Sequence, residues 1–70
     1  MAQSEILQVK FDLTKTYNVL KPHYVQGREL VDWENGPDML TFIRSMFDEG
    51  YRSLSARGSQ VYLFKRIDLS

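Results

Sequence analysis

Residues 37–67 read PDMLTFIRSMFDEGYRSLSARGSQVYLFKRI, and their reading decides the fold. Met39, Leu40, Phe42, Ile43, Met46 and Phe47 recur at three- and four-residue spacing, so at about 100° per residue they share one helical face about 160° wide. Thr41, Arg44, Ser45 and Asp48 fall on the opposite side. Pro37 suits a first helical position, where its missing N–H removes no bond; Gly36 or Asn35 is the expected cap, and Asp38 lies near the positive end of the helix dipole. Gly50 can take the left-handed conformation that closes a helix, and Tyr51 beyond it can pack back on Met46. The spacing therefore predicts a helix over 37–49. Next, 51–56 and 60–67 flank Arg57-Gly58-Ser59, whose glycine can supply the positive φ of a tight hairpin. The last strand is apolar on both sides, with Val61, Leu63 and Ile67 pointing one way and Tyr62 and Phe64 the other. It is expected either to be central with both faces covered or to present one face as an interface.

Working back from this unit, 5–13 alternates: Leu7, Val9, Phe11 and Leu13 share one face, and Gln8, Lys10 and Asp12 the other, the period of a half-buried strand. Residues 14–21 read as a loop with at most a few extended residues, because they are polar and Pro22 pushes Lys21 out of the helical region. Around Gln26-Gly27-Arg28, the β-prone residues of 23–33 predict a hairpin or a bulged strand, and 34–36 is turn chemistry. The expected architecture is α+β, a single domain over 1–70 with one helix packed on a four- or five-stranded antiparallel sheet. Its expected core is Leu7, Val9, Phe11, Leu30, Met39, Phe42, Ile43, Met46, Leu54 and Leu63.

A chain of 70 residues buries only about 60% of the surface it exposes unfolded, so its core is small and help from a partner is expected. It has no cysteine, which removes disulfides and thiolate zinc sites and points to a reducing compartment. The first residues lack the apolar segment of a signal peptide, and the apolar run 61–64 is far too short to span a bilayer, so the expectation is a soluble, cytoplasmic protein with no membrane partner. Nine basic and nine acidic residues cancel, which argues against a generic nucleic-acid footprint. The charges are split, however: four acids against one base over 34–50, then four bases against one acid over 51–70.

Catalysis needs a nucleophile with a base, an acid–base pair in a cleft, or metal ligands at workable spacing, and none is legible. His23 beside Pro22 reads as a surface or turn residue rather than a general base. Asp48 and Glu49 point in different directions from a helix and read as solubilising charges. Glu29, Asp32 and Glu34 lack calcium-loop spacing, and the scattered glycines form no phosphate loop. The expectation is no catalytic residue, no cofactor and no metal.

The segment from Met39-Leu40 through Asp48-Glu49-Gly50-Tyr51-Arg52-Ser53-Leu54 to Tyr62-Leu63-Phe64-Lys65-Arg66 resembles a family of very small bacterial and phage domains of unknown function. In those, a short helix ends in Glu-Gly-Trp or Glu-Gly-Tyr and a hairpin follows whose last strand closes on an aromatic and a basic residue. The resemblance covers under half of the chain, which departs from the family in carrying residues 14–33. It implies a strand–helix–hairpin fold and transfers no functional residue.

The function expected from these features is a small protein–protein interaction or adaptor module. One helix covers only part of a four- or five-stranded sheet, so Tyr62, Phe64 and Tyr24 are expected to anchor an interface with another protein or with a second copy in a homodimer, with Lys65 and Arg66 at its rim. The alternative is nucleic-acid binding through the Arg57-Gly58 hairpin, with Arg52 and Arg57 as contacts. Against it, the helix is acidic and no recognition helix is present.

Overall fold

The structure, a computed structural model, describes the backbone of residues 2–68 and the side chains of residues 4–66. In chain order it contains β1 (Ala2–Leu13), β2 (Leu20–Val25), β3 (Arg28–Glu29), a 3-10 turn (Trp33–Asn35), α1 (Met39–Asp48), β4 (Arg52–Arg57) and β5 (Gln60–Asp68). The strands form one antiparallel sheet in the order β3-β2-β1-β5-β4, and α1 packs against one face of it. The fold is α+β, as expected, with five strands. Ile67, expected to point the same way as Val61, lies outside the described side chains.

β1 is the longest strand and the sheet forms around it. Its odd-numbered residues face the helix: Val9 and Phe11 are fully buried, and the Phe11 ring meets Phe42 of α1 edge-on at 6.0 Å. Leu63 of β5, paired with Leu7, is equally buried, and Tyr51 closes the core at the end of α1. The remaining expected core residues are half-buried, except Leu54. Leu54 is a correction. It sits where β4 slips register between Ser53 and Ser55, so the alternation that would have turned it inward is broken, and it is 53% exposed.

The chain also departs from expectation at three other places. α1 begins at Met39, with Asp38, not Gly36 or Asn35, as its cap: the Asp38 carboxylate accepts the Thr41 N–H at 2.8 Å. At the other end the reading holds, since Gly50 is left-handed (φ 100°), its N–H reaches Phe47 O and the Tyr51 N–H reaches Met46 O, the paired bonds of a Schellman closure. Residues 20–25, partly assigned to a loop, form β2 despite Pro22. Phe11, the partner of Pro22, turns its own N–H the other way, to Ser59 O at 2.8 Å, so the proline removes no bond between β1 and β2. On the other side of β2, β3 pairs only with Tyr24 and Val25, and no ladder bond is asked of Pro22 there either. Trp33 lies in the 3-10 turn, not in a strand. Among the described residues no helix is long and apolar enough to cross a membrane.

Candidate binding face

Strand alternation gives the sheet a second face, turned away from α1, and register maps it. Cross-strand partners share a face, so Ile6 sits beside Phe64, Gln8 beside Tyr62 and Lys10 beside both Gln60 and Tyr24. No described element lies over Tyr62 and Phe64. Residues 14–33 supply β2 and β3 and so widen the sheet. Ile6 is 53% exposed, and Tyr24, Tyr62 and Phe64 are half-buried. Beside Tyr24 lies an open hollow of about 180 Å³, lined also by Gln8, Lys10, Gly27 and Gln60. Gly27 shapes its edge: with Gln26 it forms the β2–β3 turn, both residues at positive φ as a tight hairpin demands, and no side chain stands in the gap.

The residues expected at the interface divide between the two faces. Tyr24, Tyr62 and Phe64 stand together on the uncovered face, and Arg66, partner of Ser4, shares it. Lys65 does not. It pairs with Glu5 on the helix side, where its ammonium lies 5.6 Å from the centre of the Tyr51 ring. The two arginines named for nucleic acid both share the uncovered face by register, Arg52 as the partner of Phe64. Arg52 is occupied with the end of α1, its guanidinium donating to Tyr51 O at 2.7 Å and Phe47 O at 3.4 Å. Arg57, at the tip of the β4–β5 hairpin, pairs with Gln60 and so belongs to the uncovered face.

Sequence reasoning missed Lys10, Gln8 and Ile6 as members of this face. The alternation of β1 was visible, but reading its even residues as a partner surface requires knowing that β5 lies beside β1. It also missed the surroundings of His23. A register slip between Lys10 and Phe11 gives β2 an extra residue, and His23 is that residue. Its Nδ1 lies 2.8 Å from Asp12 Oδ2, its Nε2 2.7 Å from Glu29 Oε2, and its ring stacks on Trp33 at 4.0 Å. Burial opposes the charge on the ring, but hydrogen bonds to Glu29 and Asp12 and their negative charges outweigh it, and the imidazole pKa is raised. Both nitrogens are occupied by carboxylates, so neither is left to take a proton from a substrate. Among the described residues, no three His, Cys, Asp or Glu side chains are placed to hold a metal ion.

No protein-family model, no curated protein and no solved structure matches the chain.

Proposed function

We propose that this chain is a small binding module, an adaptor without chemistry of its own, that engages a partner through the uncovered face of its sheet. The observation that carries the reading is that α1 lies on one face while Ile6, Tyr24, Tyr62 and Phe64 gather on the other, where no described element covers them. Apolar and aromatic side chains grouped in this way lose free energy to water and regain it when a surface covers them. A protein surface can do this, and so can a second copy of the chain, for which a self-complementary patch serves both protomers. The occupied ring of His23 supports a role without catalysis, and the lack of cysteine supports one in the cytoplasm.

The test compares two baits in the native lysate, the wild-type chain and Tyr62→Ser/Phe64→Ser, after thermal melts have shown both to be folded. A partner held by the first bait and lost from the second is the expected outcome. Identical sets on both baits would contradict the reading.

A further inference from the structure

The charges that cancel over the chain are distributed differently on the two faces of the sheet. On the helix side the acids Asp38, Asp48 and Glu49 stand with the cations Arg44 and Lys65. The uncovered face carries Lys10, Arg57 and Arg66 around its aromatics. Two carboxylates among the described side chains share this face by register, Asp12 and Glu29, and both are tied to His23. One row crosses the sheet as Arg57, Gln60, Lys10 and Tyr24, with the Lys10 ammonium 5.5 Å from the Tyr24 ring centre. The next row places Tyr62 against Gln8, and the one beyond it Phe64 against Ile6.

Resting on the reading that this face is a binding surface, we propose that its partner is single-stranded nucleic acid, with bases laid on Tyr62, Phe64 and Tyr24 and phosphates met by Lys10, Arg57 and Arg66. Three aromatic rings on an open antiparallel sheet offer stacking to any base, and cations between and beyond them can follow a backbone. The amides of Gln8 and Gln60 add donors and acceptors at the hollow beside Gly27, where one base edge can enter. A duplex keeps its bases stacked inside and cannot use these rings. Two copies of this face brought together would bury Lys10, Arg57 and Arg66 of both, while the carboxylates Asp12 and Glu29 on it are held by His23, and the excess of positive charge disfavours a second copy as the occupant.

The experiment is a titration of isotope-labelled protein, shown monomeric by sedimentation, with a uridine decamer, a ten-base-pair duplex and a ten-residue polyglutamate. Supporting results are amide shifts confined to the residues of the uncovered face named above, with affinity for the decamer falling roughly twentyfold between about 50 and 200 mM salt, as three phosphate contacts on a single strand require. Lys10→Gln and Arg57→Gln should each reduce the logarithmic salt slope by about 0.7, and Arg44→Gln on the helix should leave it unchanged. Equal binding of polyglutamate or duplex would overturn the inference, because charge alone would then explain it. No shift at millimolar decamer would overturn it too. In that case a partner held by the wild-type bait, lost from Tyr62→Ser/Phe64→Ser and resistant to nuclease, would leave the binding-module reading standing; with no such partner both fall.

Discussion

His23 joins three strands through one ring: it belongs to β2, bonds Asp12 of β1 and Glu29 of β3, and stacks between Trp33 and its neighbour Tyr24. Because hydrogen bonds and charge raise its folded pKa above the 6.5 of a free imidazole, folding takes up protons here. The stabilisation is complete below about pH 6.5 and is lost as pH rises through the raised folded value. Thermal melts should therefore show the wild-type melting temperature falling as pH is raised from about 6 to 8, with His23→Gln flat across the same interval. A wild-type curve that is flat or rises there would contradict the clamp. This cluster was not legible in the sequence. Asp12 and Glu29 lie 11 and 6 residues from His23, and only the bulge that inserts His23 into β2 turns its ring toward both.

At the scale of elements, the helix–hairpin unit was legible because each of its signals is local. The apolar spacing of α1, Gly50 at its end and the Gly58 turn all act within a few residues. Gly50→Ala should destabilise by about 1 kcal/mol, since φ 100° strains any residue with a Cβ, while the nearest atom in space, Lys65 Cε at 3.6 Å, leaves ordinary room. Denaturant titration reads this directly. What is not local was harder to read. The strand character of 20–25 depends on which way the Phe11 N–H points, and the exposure of Leu54 depends on a slip in register against β5. The two leucines of the hairpin now make opposite predictions. Leu63→Ala, at 0% exposure, should cost about 2–5 kcal/mol. Leu54→Ala should change stability by less than about 1 kcal/mol. Equal losses at the two sites in urea unfolding would contradict the register of β4.

As a whole the molecule measures 47 × 20 × 19 Å, with a Cα radius of gyration of 13.0 Å, against roughly 11 Å for a compact chain of this length. The excess is explained by β1 and β5, which stay paired out to Ala2 and Asp68, beyond the last residues that β2 and β4 reach. So long a ladder under a helix of ten residues leaves much of the sheet without cover, and the core is confined to a few side chains around Phe11 and Leu63. A stability of roughly 4–10 kcal/mol is the range open to a domain of this size, so Phe42→Asp or Ile43→Asp, each placing a carboxylate against that core, should abolish cooperative melting. The uncovered face was legible in part, because the doubly apolar alternation of β5 announced it. Its charge was not, because the balance of acids and bases along the chain does not show which of them the register gathers on one side. The most direct test is the affinity of the wild-type protein and of Tyr62→Ser/Phe64→Ser for a labelled uridine decamer, measured by fluorescence anisotropy at low salt with melts run in parallel. A loss of at least about tenfold in the double variant is expected if two bases lie on these rings, with both proteins folded. Equal affinities, or no binding by either protein, would contradict it.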